Sequence, residues 1–105
     1  MRIGTDIVEI ARIKDPDRLA KKILSEKEMP YYEARTNKAE AIAGFFAAKE
    51  AFMKATGKGL SLAPMNEIEI LHEEMGAPYV LFQNETYSVP ISDDGGFVVA
   101  TALFE

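Results

Sequence analysis

The feature that most constrains this chain is a helical stretch that begins near Lys38, runs to about Thr56 and stops at Gly57. Its centre reads GFFAAKEAFMKATGKG. Gly57 suits the stop, because helices commonly end on a residue in the left-handed region, where glycine carries no Cβ penalty. Upstream, "DPDRLAKKIL" begins with an Asp-Pro helix start and carries Leu19, Ile23 and Leu24 at helical spacing. "SEKE", Ser25 with Glu28 three residues on, has the capping-box pattern and marks a second short helix, whose extent Pro30 limits. The N-terminal "RIGTDIVEI" sets Ile3, Thr5 and Ile7 against Gly4, Asp6 and Val8 and reads as a buried strand. Beyond the long helix, "EIEILHE", "YVLF", "YSVPI" and "FVVATALF" read as strands, with "MGAP" and "SDDGG" as turns. Pro90 argues for an edge or a bulge. Strand, helices, then four strands predicts an α+β fold, with the N-terminal strand and the helices packed on an antiparallel sheet. The length of 105 residues predicts a single domain, 1–105.

Cysteine is absent and His72 is the sole histidine. Disulfides, thiolate metal sites and multi-histidine metal sites within one chain are thereby excluded, and a Ser-His-Asp triad could draw only on His72. His72 stands beside Glu73 and Glu74 at a strand end and reads as a surface residue without a role. A net charge of −5 argues against nucleic-acid binding. No apolar run approaches bilayer length, so no membrane association is expected. "MRIGTDIVEI" lacks the apolar core of a signal peptide, and the absence of cysteine makes the cytoplasm the expected location. The charge is uneven. All twelve Lys and Arg lie in residues 1–58, where nine acids leave a balance of +3, whereas residues 59–105 carry eight acids and no Lys or Arg. Such asymmetry suits a specific electrostatic task, although oligomer contacts would also absorb it.

Three groups of residues can carry chemistry. Asp6 lies inside an apolar strand, where an ionised carboxylate is costly unless it is paired or bound to a cation. A strand-end aspartate on a surface edge is the plain alternative. Glu50 and Lys54 are one helical turn apart and share a face. They read either as a surface ion pair or as a metal ligand beside a phosphate clamp. One carboxylate from a strand and one from a helix, with phosphates and waters completing the shell, suit magnesium, and Lys54 would meet the same phosphates as a point charge. "TGKGL" places Gly57 and Gly59 around Lys58, which would let the backbone approach a ligand; a helix cap followed by a turn explains it equally well. "RIKDPDRLAKK" carries Arg12, Lys14, Arg18, Lys21 and Lys22 against two aspartates. In an acidic protein such a strip is a candidate dock for an acidic partner, or simply a solvated face.

"IGTDIVEIARI" and "GFFAAKEAFMKATGKGL" together resemble the small trimeric 4′-phosphopantetheinyl transferases of the holo-acyl-carrier-protein synthase type, and "GAPYV" and "SVPISDDGGFVVA" follow in the family's order. The resemblance covers nearly the whole chain. It implies transfer of 4′-phosphopantetheine from coenzyme A to a serine of acyl carrier protein, with 3′,5′-ADP as the other product, in fatty acid biosynthesis. It implies Asp6 and Glu50 as magnesium ligands and Lys54 at the coenzyme A phosphates, these three being the catalytic set. Gly57, Lys58 and Gly59 correspond to the loop along the nucleotide, and Ser92 to a retained serine of the closing segment. Arg12, Arg18 and Lys22 fall in the basic helix that receives the carrier protein. A homotrimer with sites between subunits is implied as well. Two positions depart from the family pattern. "GFFAAKEA" replaces the usual "GRFAAKEA", so Phe45 stands for an arginine, which should weaken a contact to carrier protein or phosphate. "PISD" replaces "SISH", so Pro90 stands for a serine and Asp93 for a histidine. Asp93 is expected to turn outward in "SDDGG" or to be neutralised by Lys54 or Lys58. Two other functions fit less of the sequence: a carrier-binding or structural trimer with weakened catalysis, and a magnesium-dependent phosphohydrolase, which leaves the basic helix unexplained.

Overall fold

The computed structural model describes all 105 residues. Strand β1 (Arg2–Glu9) leads through a 3₁₀ turn (Ile10–Arg12) to helix α1 (Pro16–Ile23), helix α2 (Met29–Ala34) and the long helix α3 (Lys38–Thr56). Five strands follow: β2 (Glu69–His72), β3 (Pro78–Phe82), β4 (Glu85–Ser88), β5 (Ile91–Asp94) and β6 (Phe97–Phe104). They form two antiparallel sheets of three strands, ordered β1-β6-β5 and β2-β3-β4.

The α+β class is as the sequence predicts, but the single sheet is not. "YSVPI" divides at Val89 and Pro90 into β4 and β5, and the chain changes sheets there. Pro90 has no N–H to offer a ladder, so the strand breaks at it; its carbonyl accepts from Thr101 N at 3.0 Å on the far side of the break. "SDDGG" is likewise not all turn. Ser92 to Asp94 stay in β5, and only Gly95 and Gly96, at φ 58° and 86°, make the connection. Positive φ at both loop residues matches the twist of the flanking strands, which is why two glycines serve here.

The helix ends follow local chemistry. Asp15 Oδ1 accepts from Arg18 N at 3.2 Å and caps α1, with Pro16 in the first turn. Pro30 occupies the first turn of α2, where its missing N–H costs nothing. Asn37 caps α3 through Glu40 N at 3.0 Å. Gly57 closes α3 at φ 82°.

Helix α3 is apolar around much of its circumference because it lies at the centre of the molecule, and Ile42, Ala47, Ala48, Ala51, Phe52 and Met53 are buried along it. Phe52 packs edge-on against Phe82 of β3 at 5.7 Å and against Phe104 of β6 at 5.9 Å, joining the helix to both sheets. Burying a side chain of this size stabilises the fold by about 1.5–3 kcal/mol. On the other flank β1 lies directly on the helix. A Cβ at Gly4 would collide with the backbone of Ala51 and Ala55. The inward face of β1 is therefore Gly4, Asp6 and Val8. The opposite row is not buried as anticipated, and Ile3 and Ile7 are 62% and 61% exposed.

A buried ion pair ties the helices to the second sheet. Lys49 Nζ donates to Glu28 Oε1 at 2.8 Å, to Met65 O at 2.8 Å and to Ile68 O at 2.7 Å. Glu28 Oε1 also accepts from Ser25 N at 2.8 Å across the turn that precedes α2, and Oε2 accepts from Ile70 N at 2.7 Å. Glu28 is the cap position of α2 and the Ser25 hydroxyl donates to Glu69, so "SEKE" marks the helix start without capping it. Burial pushes Glu28 up and Lys49 down, and their mutual attraction opposes both shifts. The bonding pattern favours the ionised pair, because three acceptors around Nζ match the three donors of an ammonium group. Lys49→Met strands the Glu28 charge and is expected to lower stability by about 3–5 kcal/mol in urea unfolding. The double variant Glu28→Gln/Lys49→Met should recover part of that loss. A single variant that unfolds within about 0.5 kcal/mol of the parent would show that the pair is not a strut.

Candidate functional site

Asp6, Glu50 and Lys54 meet where β1 crosses the last two turns of α3. Lys54 Nζ donates to Asp6 Oδ1 and to Thr5 O, each at 3.0 Å. The Asp6 side chain is 16% exposed and that of Lys54 51%. Lys54 thus pairs across to the strand rather than with Glu50 along its own helix, because the close approach at Gly4 carries the next inward residue of β1 over the helix end. Glu50 is partly buried. Burial pushes its carboxyl above the ordinary range, the nearby Asp6 charge pushes it further, and Lys54 partly offsets both. Two carboxylates and one ammonium leave a surplus negative charge. No cluster of three or more His, Cys, Asp or Glu side chains is present. Two carboxylates nonetheless fit magnesium, which commonly takes one or two protein oxygens and fills its octahedron with waters and substrate phosphates.

The glycine-bounded loop leaves the same end of α3. Gly57 is held left-handed with the Arg2 guanidinium against it, where an added Cβ would collide. Gly59 has φ 56°, and the exposed Lys58 between them accepts Ser61 Oγ at its carbonyl. Ser92 is not brought to this cluster within one chain. It pairs with Val99, which pairs with Ile7, on the outward face of the sheet, whereas Asp6 shares the inward face with Ala100 and Ile91.

The basic strip is only partly a helix. Arg12 lies in the 3₁₀ turn before α1, because Asp15 and Pro16 start the helix later than a continuous reading of "RIKDPDRLAKK" allows. Arg18 and Lys22 are one turn apart on α1, and both are exposed. The acids of the segment face other tasks. Asp15 caps the helix, and Asp17 accepts the Tyr32 hydroxyl at 2.6 Å. The two ion pairs of the structure are Lys49–Glu28 and Lys54–Asp6, so Arg12, Arg18 and Lys22 are unpaired.

The expectation for His72 is corrected. His72 is half-buried, stacked on Tyr31 with ring centroids 3.7 Å apart and edge-on to the buried Phe45 at 6.3 Å. Burial and the neighbouring Arg35 lower its pKa. The sequence carried a signal for this, since His72 continues the row of Ile68 and Ile70 on alternate positions. Phe45 points inward to these rings, into a cleft of about 450 Å³ between α2, α3 and the edges of β2 and β5. Asp93 is exposed and meets no lysine, and its carboxyl lies beside that of Glu40, whose pKa it raises.

The comparisons with known proteins agree with this architecture. Residues 2–102 match the model of the 4′-phosphopantetheinyl transferase superfamily. A holo-acyl-carrier-protein synthase of Chlorobaculum tepidum is 42% identical over all of this chain and 98% of its own length. Another, from Thermoanaerobacter sp. (strain X514), is 37% identical, and the match spans 83% of this chain but 66% of that relative. The crystal structure of a holo-acyl-carrier-protein synthase from Bacillus anthracis str. Ames, in complex with CoA (3′,5′-ADP), superimposes with a TM-score of 0.85 at 34% identity, over 96% of this chain and 92% of that one. With the family model matched over nearly the whole chain and full-length relatives at this identity, the chain belongs to the 4′-phosphopantetheinyl transferase superfamily, and within it to the holo-acyl-carrier-protein synthases.

Proposed function

We propose that this chain transfers 4′-phosphopantetheine from coenzyme A to a serine hydroxyl of apo-acyl carrier protein. The observation that carries this is the junction of Asp6, Glu50 and Lys54 at the helix end from which the glycine-bounded loop departs. The serine oxygen forms a bond to the phosphorus next to pantetheine, the bond from that phosphorus to the nucleotide breaks, the serine proton is lost, and 3′,5′-ADP leaves. Charge on the pyrophosphate is what such a reaction must stabilise. Magnesium bound by Asp6 and Glu50 would supply positive charge at the pyrophosphate. Lys54, already released on one side to solvent, and Lys58 add fixed positive charge, while Gly57 and Gly59 let backbone N–H groups come close to phosphate oxygens. The bound CoA (3′,5′-ADP) of the Bacillus anthracis relative supports the choice of co-substrate.

The unpaired Arg12, Arg18 and Lys22 dock the carrier protein, whose acidity would complement them. The outward face of β1-β6-β5 supports a homotrimer. Ile3, Ile7 and Phe97 are 62%, 61% and 41% exposed on it, and large apolar side chains left exposed on one sheet face suit an interface. No helix is long and apolar enough to cross a membrane, and we place the activity in the cytoplasm, in fatty acid biosynthesis. Incubation with apo-acyl carrier protein, coenzyme A and magnesium should add one phosphopantetheine to the carrier in intact-mass spectra. Carrier that binds and gains no mass would instead indicate a trimer with weakened catalysis.

Three outcomes follow for variants. Asp6→Asn and Glu50→Gln should each lower magnesium-dependent kcat/KM by about a hundredfold or more with the fold intact by circular dichroism; unchanged rates at limiting magnesium would remove both from the site. Arg18→Glu should raise the carrier KM about tenfold and leave the coenzyme A KM unchanged, with the difference shrinking as salt rises; an effect on coenzyme A alone would assign the strip to the cofactor. Ile7→Asp should dissociate the oligomer in sedimentation velocity, whereas a trimer that survives it would place the interface elsewhere.

A further inference from the structure

His72 is the sole histidine of the chain, and no step proposed above uses it. Imidazole is the side chain whose ordinary pKa, about 6.5, puts its change of charge within the physiological range. The ring lies flat on the Tyr31 ring of α2, with centroids 3.7 Å apart and planes 5° from parallel. The buried Phe45 of α3 stands edge-on to both, 5.8 Å from Tyr31 and 6.3 Å from His72. Arg35, at the end of α2, sets its guanidinium over the same Tyr31 ring at 4.9 Å. All four side chains line the cleft described above. The stack thus ties the Tyr31 side of α2 to β2, an edge strand of its sheet. The other side of α2 is held separately. The buried Tyr32 donates its hydroxyl to Asp17, and Lys38 Nζ donates to the carbonyls of Tyr32, Glu33 and Arg35.

A neutral imidazole makes this contact as a flat, largely apolar surface. A protonated one meets two opposing effects. Burial among the aromatic rings removes water from the charge, and the Arg35 cation repels it; both lower the pKa of His72. Attraction between a cation and the face of a phenol works the other way. Arg35 already lies over the Tyr31 ring and forms no ion pair that would neutralise it, so a second cation on that ring is repelled. The acids nearby do not compensate. Glu40 of α3 and Asp93 of β5 lie beside each other, and Glu73 and Glu74 are exposed in the turn that follows His72. Lys38 is engaged by the α2 carbonyls. Across the ladder His72 meets the uncharged Pro78 of β3.

We propose that the Tyr31–His72 stack is a pH-sensitive latch: the neutral imidazole holds the Tyr31–Arg35 side of α2 against β2, and protonation releases that wall of the cleft. A group whose pKa is lower in the closed form takes up a proton on opening. The latch therefore holds fully above the ordinary imidazole value and weakens as pH falls below it. Release is local, because Phe52 and the Lys49–Glu28 pair, which join α3 to the sheets, take no part in this contact. The latch acts independently of the reaction proposed at Asp6, Glu50 and Lys54.

With one histidine, NMR spectra of the full chain carry one set of imidazole resonances. Titrated from about pH 8 to about pH 4, the ring should protonate below about 6.5, and its cross-peaks to the Tyr31 ring should fade over the same range. A pKa of about 6.5 or higher, a ring still neutral at about pH 4, or cross-peaks that survive protonation overturns the proposal. His72→Phe keeps a flat ring on Tyr31 and does not titrate. Between about pH 7.5 and about pH 5, the folded-to-unfolded ratio in urea should fall about threefold or more further in the parent than in this variant. A smaller difference overturns the latch. His72→Gln lacks the stacking ring and decides the matter if His72→Phe does not fold. Its Tyr31 resonances at neutral pH should match those of the parent at about pH 4, and shifts nearer to the parent's neutral-pH values overturn the proposal.

Discussion

The contact of strand β1 with the backbone of helix α3 is the constraint on which the rest of the structure depends. Gly4 has no space for a Cβ above Ala51 and Ala55, so strand and helix lie as close as two backbones allow. Alanines at 47, 48, 51 and 55 keep the helix side of the contact low. The next inward residue of the strand is Asp6, and at this separation its carboxylate lands over the helix end, 3.0 Å from Lys54 Nζ. The same closeness leaves Asp6 and Glu50 partly buried where strand and helix cross. A bulkier residue at position 4 would lift the strand and take Asp6 with it, so a packing requirement and a chemical one are met by a single glycine.

The buried Lys49–Glu28 pair sets the rotation of the same helix. Successive residues of a helix point about 100° apart, so with Lys49 turned into the core against Glu28, Met65 and Ile68, its neighbour Glu50 must emerge toward β1. A desolvated pair of this kind contributes little net stability and much to uniqueness of register, because any other rotation leaves a charge buried alone. The cost of burying both groups is offset by a complete set of hydrogen bonds, and no buried side-chain nitrogen or oxygen is left without a partner. The Ser25–Glu28 pattern, which looks like a helix cap, is instead the anchor of β2 through Ile70 N.

The outward face of β1-β6-β5 and the basic strip divide the surface by chemistry. The first sets Ile3, Ile7, Val99 and Phe97 among Thr5, Glu9, Ser92 and Asp94 and carries neither Lys nor Arg; the second has its acids engaged by a helix cap and a tyrosine hydroxyl. The uneven distribution of charge along the chain thus becomes a spatial separation between a surface suited to copies of the chain and one suited to an acidic partner.

What the sequence by itself determined was local. The bounds of α3, its stop at Gly57, the start of α1 at Asp15 and Pro16, and the α+β order all follow from periodicity and from the restricted chemistry of glycine, proline and capping side chains, which act within a few residues. The grouping of Glu50 with Lys54 on one face was legible for the same reason. What only the tertiary structure decided was which distant groups meet. Lys54 pairs with Asp6 rather than Glu50, Glu28 reaches Lys49, His72 stacks on Tyr31, and Asp93 faces Glu40 across the mouth of a cleft that also holds Phe45. The division into two sheets at Pro90 is of the same kind. These pairings depend on how far one backbone stands from another, and that distance is set by core packing across the whole fold, through contacts such as Gly4 on Ala51, which no local pattern records.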